Sequence, residues 1–402
     1  MATNTRKMTR RMVLTGAATT TALWVVPVIG QAQDGPVRMA TLTPLTGAGG
    51  SYGPRMRDSV VAVVEEVNKA GGVLGRKIDL SSEDSQTNPE AAVRAARKLI
   101  DVDRVIAVMG TWASSVTTAV APLCWESKTM IACVSGADSI TLLPHQGYLI
   151  RTQPNSKLQI RTVTTFMLEE GAQRLAWIGP QTPFAQSSID IMTELAKDRG
   201  KTMDSVIYEA DKTTYRSEVD KILRSKPDFL MLGGYTPDVI VLLRDLYRAG
   251  YDGRIMGPAY AVSAKLLEAL PPEVTEGIYT FAPSPAVDSN AYQRVQKIHG
   301  IQDVDPYSSQ TYDHANLMIL GLAAAGQASG TAIRDTLRQI SQGGGDSVDN
   351  AVEGLRLLAA GKKIDYTGAS GPCDFTDIGD ITGTKFRYER VKKGAFEMLR
   401  II

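Results

Sequence analysis

Two serines stand at the start of a predicted helix, directly after a run of apolar residues. Residues 105–109 are VIAVM, Gly-Thr-Trp follows shortly after, and Ser114 and Ser115 come next. The Ser114 hydroxyl has two interpretations. It caps the helix by accepting a hydrogen bond from a free backbone N–H, or it joins those N–H groups in binding a carboxylate, which the helix dipole attracts. Trp112, expected to be exposed at the end of the strand, favours the second interpretation.

Two other strand ends carry related features. Ser135 and Gly136 follow the next predicted strand and add backbone donors for the same anion. The segment FLMLGGY at 229–235 repeats the pattern seen before Trp112, an apolar run followed by glycine and an aromatic residue, here Tyr235. Parallel strands covered on both faces are apolar throughout, and open α/β sheets bind ligands at the carboxyl ends of their strands. We therefore predict two such edges that face each other across a cleft.

Catalytic and cofactor motifs give no support for an enzyme. Residues 47–53 miss the dinucleotide-binding pattern, because Tyr52 stands where its last glycine is required. The sequence contains no Walker motif and no His-Glu-x-x-His, and its three histidines are widely scattered. We predict a protein that is not an enzyme and that needs neither a metal nor a cofactor. A hydrolase remains an alternative, because catalytic triads assemble in space rather than in sequence.

Composition and charge exclude several other classes. The 402 residues are 43% hydrophobic and 22% charged, which are ordinary values for folded domains. The length predicts two domains. The first 32 residues hold four basic residues and no acid, so the remainder has 40 basic against 43 acidic residues. No nucleic-acid partner is expected from this balance.

Residues 1–32 are predicted to be a signal peptide. A basic segment with Arg10 and Arg11 precedes an apolar stretch at 12–29, and cleavage is expected after about Ala32. The pair of arginines resembles the twin-arginine signal, which exports folded proteins, and export of the unfolded chain stays open. An uncleaved membrane anchor is the alternative, weakened by the threonines and the proline of this stretch. The mature protein is expected in the periplasm.

The three cysteines are too few for a disulfide framework. Cys124 and Cys133 form a disulfide if the helix ending near Trp125 folds back against the following strand. They otherwise remain free and buried, as does Cys373, and this second interpretation is favoured.

Apolar runs alternate with amphipathic segments and predict βα units, with parallel sheets and right-handed crossovers. Predicted strands include residues 37–42, 78–80, 130–134, 175–178, 205–208 and 254–256, besides the two runs above. Predicted helices include residues 187–199, 215–223, 239–249, 291–299, 311–325 and 332–341. Phe375, Phe386 and Tyr388 stand in alternating patterns near the C-terminus, which predicts antiparallel strands.

The order and spacing of seven motifs resemble the periplasmic solute-binding proteins of ABC importers, in the branched-chain amino acid (type I) group. The motifs are TPLTGAGGSYG at 43–53, VNKAGGVLGRKI at 67–78, GTWASS at 110–115, GGYTPD at 233–238, LYRAGYDG at 246–253, IMGP at 255–258 and GPCDFTDIGD at 371–380. The resemblance implies an α/β fold of two Rossmann-like, doubly wound lobes joined by a three-segment hinge. It places residues 36–152 and about 281–376 in one lobe, and residues 153–280 and about 377–402 in the other.

The resemblance also implies a ligand site. A ligand carboxylate would lie on Ser114 and on backbone groups of Ala113, Ser135 and Gly136. Aromatic residues would enclose the ligand from both lobes: Tyr52, Trp112 and Tyr307 from the first, and Phe184 and Tyr235 from the second.

The sequence departs from the family pattern at two positions. Gly136 stands where the family has a threonine near the ligand amino group, and Ala259 followed by Tyr260 stand where an acid should pair with the ligand ammonium. Burying an ammonium group without a carboxylate costs several kcal/mol. We therefore expect a carboxylate ligand with an apolar or aromatic body and no obligatory amino group. A branched-chain amino acid remains possible if Asp138 or another acid approaches the site.

These features predict an extracytoplasmic, monomeric protein that captures a small carboxylate between two lobes and delivers it to the membrane permease of an ABC importer. A ligand-sensing receptor component is the alternative from a different class of protein, and a secreted hydrolase is a weaker one.

Overall fold

The computed structural model describes residues 35–402, so the predicted signal peptide and its cleavage site lie outside the described residues. The strands are β1 (Val37–Thr43), β2 (Ile78–Asp84), β3 (Ala107–Thr111), β4 (Met130–Cys133), β5 (Leu149–Arg151), β6 (Arg174–Pro180), β7 (Thr202–Tyr208), β8 (Phe229–Leu232), β9 (Arg254–Pro258), β10 (Tyr279–Ser284), β11 (Asp346–Val348), β12 (Ile364–Tyr366), β13 (Lys385–Lys392) and β14 (Ala395–Ile401). The helices are α1 (Gly53–Lys69), α2 (Pro89–Arg97), α3 (Ser114–Glu126), α4 (Ser156–Glu169), α5 (Pro183–Asp198), α6 (Arg216–Leu223), α7 (Thr236–Arg248), α8 (Ala264–Ala269), α9 (Pro272–Thr275), α10 (Asn290–His299), α11 (Pro306–Ala325), α12 (Gly330–Ser341) and α13 (Ala351–Ala359).

The first sheet is parallel and has the strand order β2-β1-β3-β4-β5. All five residues of β3 are buried, as expected for a central strand covered on both faces. Residues 107–109 of the apolar run therefore lie in a central strand that ends at Thr111, and α3 begins three residues after that end. We call this sheet and the helices packed on it the first lobe.

The second sheet has the order β14-β13-β10-β9-β8-β6-β7. Strands β6 to β10 are parallel to one another, whereas β13 pairs antiparallel with β10 and β14 pairs antiparallel with β13. The alternating pattern correctly predicted this antiparallel tail at Phe386 and Tyr388, whereas Phe375 forms only an isolated antiparallel bridge to Ile381. We call this sheet and its helices the second lobe.

The chain passes between the two sheets three times, after β5, after β10 and before β13. The returning chain supplies much of the first lobe's core, where Met39 and Val60 pack with Leu320 of α11 and Ile364 of β12. The α/β fold with two doubly wound lobes is thus confirmed, and the three passages form the connection between the lobes.

Two helices begin four or five residues earlier than the sequence analysis predicted. Helix α5 starts at Pro183 rather than at residue 187, because the Thr182 side chain accepts a hydrogen bond from Ala185 N at 3.0 Å. Helix α11 starts at Pro306 rather than at residue 311, because Asp305 accepts one from Ser308 N at 3.0 Å. In each case the capping residue and a proline at the first helical position set the start.

Strand β2 is longer than the predicted residues 78–80. Its register with β1 runs from Val37 opposite Ile78 to Thr43 opposite Asp84. Its second half consists of polar residues, which is why the apolar pattern did not predict it as a strand. These residues are tolerated because β2 lies at the edge of the sheet and is partly exposed.

The three cysteines are free and buried, so the disulfide alternative for Cys124 and Cys133 is wrong. Burial raises the pKa of the Cys124 thiol to about 12, and that of Cys133 to about 11. Within residues 35–402 no single helix is long and apolar enough to cross a membrane, although the bent pair of α11 and α12 passes that test by length and composition.

Candidate functional site

The carboxyl ends of β3 and β8 face each other, one from each lobe. Trp112 follows β3 and Tyr235 precedes α7, and their ring centroids lie 5.3 Å apart. Trp112 is only 6% exposed. The expectation that it is exposed was wrong, because aromatic residues of the opposite lobe cover it.

Aromatic side chains from both lobes surround Trp112. Tyr52 stacks on it at 5.9 Å, Tyr307 meets it edge-on at 5.7 Å, and Tyr260 meets it edge-on at 5.7 Å from the second lobe. Phe184 lies 6.4 Å from Tyr260 and extends this wall. The structure therefore brings together the six aromatic residues named from the sequence.

A cavity lies between these side chains. The space open to the centre of a water molecule is about 40 Å³, and the wider gap including open solvent is about 500 Å³. Its walls are formed by Trp112, Ala113, Ser114, Val134, Gly136, Gln153, Gln159, Thr182, Phe184, Gly233, Tyr235, Tyr260 and Tyr307. These residues are all uncharged. Burial raises the pKa of Tyr235 to about 12 and also raises that of Tyr260 and Tyr307, so the phenols remain neutral hydrogen-bond donors.

The amino-terminal end of α3 borders this cavity. The residue in the capping position is Ala113, and no side chain caps the helix. The Ser114 hydroxyl instead accepts a hydrogen bond from Ala137 N at 3.2 Å, so the capping interpretation of Ser114 is wrong. Across the part of the chain that the structure describes, the N–H groups of Ser114 and Ser115 have no acceptor. They are the donors that a helix start leaves for an anion.

The loop after β4 lies beside this helix end. Gly136 lines the cavity, and its N–H has no acceptor among residues 35–402. A Cβ atom at Gly136 would lie 2.9 Å from atoms of Phe184 and of Gln159, so any larger residue here would require those side chains to shift. Ser135 is 1% exposed and outside the cavity wall, and its hydroxyl donates to Trp112 O at 2.8 Å. We call Ser114, Gly136 and their free N–H groups the anion cradle.

A buried arginine holds this loop in place. Arg151 is fully buried and donates to Ser135 O at 3.2 Å and to Ala137 O at 2.6 Å. Its guanidinium also pairs with Asp380, at 2.6 and 2.8 Å. Because Arg151 ends β5, where the first passage begins, and Asp380 precedes β13, this ion pair links the first and third passages between the lobes. Nothing in the sequence near either residue indicated the pair.

Tyr52 and Ala259 lie at a neighbouring cavity of about 220 Å³ rather than in the wall of the first one. The Tyr52 hydroxyl donates to Ala259 O at 3.2 Å, which joins the two lobes. A further bond between the lobes runs from Asp138 N to Ser187 Oγ at 3.4 Å. These contacts describe a closed cleft.

Asp138 does not line the cavity. Its carboxylate accepts a hydrogen bond from Lys157 N at 3.0 Å, and burial raises its pKa. No other acid lines the cavity wall either. Within this wall a ligand ammonium would therefore have no carboxylate partner; Asp303, Asp305 and Glu389 line the neighbouring cavity, which shares Gln159 with this one.

Five wall residues were not predicted: Val134, Gln153, Thr182, Gly233 and Gln159. The Thr-Pro pair at 182–183 was a detectable capping signal, and Gly233 belonged to a motif already noted. The two glutamines carried no signal, since a glutamine in a connection or a helix is normally solvent-exposed.

A serine motif lies in the turn before α1 of the first lobe. Residues 49–53 match the pattern Gly-x-Ser-x-Gly, which marks a nucleophile only when a histidine activates the serine. Ser51 is exposed in a turn before α1. The three histidines bond to other groups: His145 to Thr141 O, His299 to Ser59 and His314 to Thr152. The geometry gives Ser51 no general base.

Two α/β lobes whose strand ends face each other across a closed cavity define a two-lobe ligand-binding protein. The sequence pattern of periplasmic binding proteins matches residues 36–371, and the chain belongs to that family.

Relatives and solved structures agree with this assignment. A chemotactic signal transduction system substrate-binding protein (BasB) of Halobacterium salinarum is 25% identical over 361 residues, which cover 87% of this chain and 86% of the relative. A leucine-binding protein of Thermotoga maritima has a TM-score of 0.75 at 20% identity, covering 91% of this chain and 98% of that one. An ABC transporter solute-binding protein of R. palustris, solved with 4-hydroxybenzoate, has a TM-score of 0.74 at 16% identity, covering 91% and 97%.

Proposed function

We propose that this protein captures a small carboxylate with an apolar or aromatic body, outside the cytoplasm, and delivers it to the permease of an ABC importer. The observation that carries the proposal is the anion cradle, which opens into a closed aromatic cavity with no charged side chain in its wall. The relatives are named as binding proteins, which supports a role in binding rather than in catalysis.

The cradle suits a carboxylate for a physical reason. Free N–H groups at a helix start carry partial positive charge, and an anion there receives charge-assisted hydrogen bonds. Gly136, whose N–H also lacks an acceptor among the described residues, lines the same cavity. No lysine or arginine is needed, because the partial charges are fixed by the backbone.

The wall argues for a ligand without an obligatory ammonium group. Removing an ammonium from water is unfavourable unless a carboxylate or several acceptors replace the solvent. The walls contribute aromatic rings, two glutamine amides and one threonine hydroxyl, and no acid. A ring or a branched alkyl group fits this surface, and one structural neighbour was solved with 4-hydroxybenzoate. The leucine-binding neighbour keeps a branched-chain amino acid as the second candidate.

Delivery to a permease requires a protein that opens and closes. The contacts that hold the lobes together include the Trp112 and Tyr235 rings, the hydrogen bond from Tyr52 to Ala259 and the ion pair of Arg387 with Asp303. Ligand release requires these contacts to break. A receptor component is the second candidate function, because the BasB relative is named for chemotactic signalling.

Isothermal titration calorimetry tests the ligand class. The mature protein is titrated with phenylacetate, 4-methylpentanoate, leucine and the neutral amide phenylacetamide. We expect the acids to bind, and phenylacetamide to bind at least about tenfold more weakly, because it lacks the charge that the cradle selects. Tight leucine binding without binding of either acid would refute the proposed ligand class.

A further inference from the structure

Gln159 carries an unused hydrogen-bond acceptor at the wall of the cavity. The residue lies in the first turn of α4 and is 4% exposed. Its Nε2 donates to Pro154 O at 3.3 Å. This bond sets the direction of the amide, since the opposite orientation would bring two oxygens together. Its Oε1 accepts no hydrogen bond from any residue that the structure describes, although the side chain lines the cavity.

The position of Gln159 is defined by the anion cradle. Its Nε2 would lie 2.9 Å from a Cβ atom at Gly136, so the amide lies beside Gly136 of the cradle. With a carboxylate in the cradle, the carbon next to that carboxylate would be the part of a bound acid that comes nearest to this amide. Gln159 is therefore placed to contact whatever substituent that carbon carries.

We propose that Gln159 is a specificity-determining residue that selects ligands with a hydroxyl group on this carbon, namely 2-hydroxy acids with an apolar or aromatic body. The inference rests on the proposed function, because the carboxylate in the cradle is what brings the carbon to Gln159. A hydroxyl donates one hydrogen bond to Oε1 and carries no charge. A single neutral acceptor therefore satisfies the one hydrogen bond that the hydroxyl donates.

The alternative substituents match this wall less well. An ammonium group brings a full charge and three donors, and the cavity wall contains no carboxylate to meet them. An acid with only hydrogens at this carbon gives Oε1 no hydrogen-bond donor and displaces water from it when the cleft closes, which is unfavourable. The order of affinity follows as 2-hydroxy acid first, unsubstituted acid second and 2-amino acid last.

The test compares three isosteric ligands by calorimetry: mandelate, phenylacetate and phenylglycine, with 2-hydroxy-4-methylpentanoate, 4-methylpentanoate and leucine as the aliphatic set. For the mature wild-type protein we expect the hydroxy acid of each set to bind about 3- to 10-fold more tightly than the unsubstituted acid. In Gln159→Leu this preference should disappear while phenylacetate still binds. Gln159→Met, which keeps the length of the side chain, serves if the leucine variant does not fold.

A charge-changing variant tests the same position in the opposite direction. Gln159→Glu supplies the missing carboxylate, so phenylglycine and leucine should gain about tenfold relative to the hydroxy acids. Gln186→Leu, at an exposed position on α5, is the matched control and should change none of the ratios.

The outcomes separate this inference from the proposed function. Equal binding of mandelate and phenylacetate, or a preference that survives in Gln159→Leu, overturns the role of Gln159 and leaves the carboxylate site standing. If none of the acids binds the wild-type protein, the proposed function itself is wrong.

Discussion

The N–H group of Ser114 can be removed without disturbing its helix. Ser114 is the first residue of α3, a position where proline is well tolerated. The residue before it, Ala113, has φ −70° and ψ 134°, which is the extended conformation that a following proline requires. Ser114→Pro therefore deletes one cradle donor and the hydroxyl, whereas Ser114→Ala deletes the hydroxyl alone.

The magnitude follows from the type of hydrogen bond. A bond to a charged group contributes about 1.5–3 kcal/mol, so Ser114→Ala should weaken carboxylate binding about 10- to 150-fold if the hydroxyl donates to the ligand. Ser114→Pro should weaken it further by a similar factor, because the N–H is lost as well. Calorimetry with phenylacetate measures both steps, and Ser115→Ala, outside the cavity wall, is the control that should bind normally.

The comparison of the two variants is decisive. A proline variant that binds as tightly as the alanine variant would show that the helix N–H does not contact the ligand. Unchanged affinity in both variants, with an unchanged apo melting temperature, would remove the anion cradle from the site altogether.

Two further predictions concern stability. Arg151→Met should destabilise the apo protein by about 3–5 kcal/mol in urea unfolding, because it leaves Asp380 buried without its charged partner. The double variant with Asp380→Leu should recover part of this loss. If the losses in free energy of the two single variants simply add in the double variant, the pairing is contradicted. Burial lowers the pKa of His314 to about 3. Below pH 6.5 the folded state therefore binds fewer protons than the unfolded state, and the free energy of unfolding decreases as the pH is lowered. Between pH 8 and pH 5 the free energy of unfolding of the wild-type protein should decrease by about 2 kcal/mol more than that of His314→Gln. Burial raises the pKa of Asp313 to about 6, which acts in the opposite direction and equally in both proteins. Equal pH profiles would show that His314 titrates normally.

The carboxyl ends of the strands in the two sheets could be predicted, because a buried parallel strand appears in the sequence as a continuous apolar run. The residues that follow such a run must lie at the carboxyl edge of the sheet, and this placed Trp112, Ser114 and Tyr235 near a ligand site without any knowledge of distances. The aromatic residues Phe184 and Tyr307 came from the resemblance to the family. Their exact position depended on helix starts that the apolar periodicity did not mark.

The remaining features depend on contacts between distant parts of the chain. Arg151 and Asp380 are 229 residues apart, and only the passages between lobes bring them together. The burial of Trp112 depends on the second lobe in the same way. Gln159 is one polar residue among several on its helix, and the role proposed for it rests on its closeness to Gly136.

The uncharged wall of the cavity has a consequence for how the protein responds to its surroundings. Neither the walls nor the ligand-facing donors gain or lose protons at neutral pH, and salt screens buried interactions much less than exposed ones. Affinity should thus hold nearly constant across dilute and saline media. A binding protein in a compartment whose ionic composition follows the external environment would retain its affinity for the ligand through such changes.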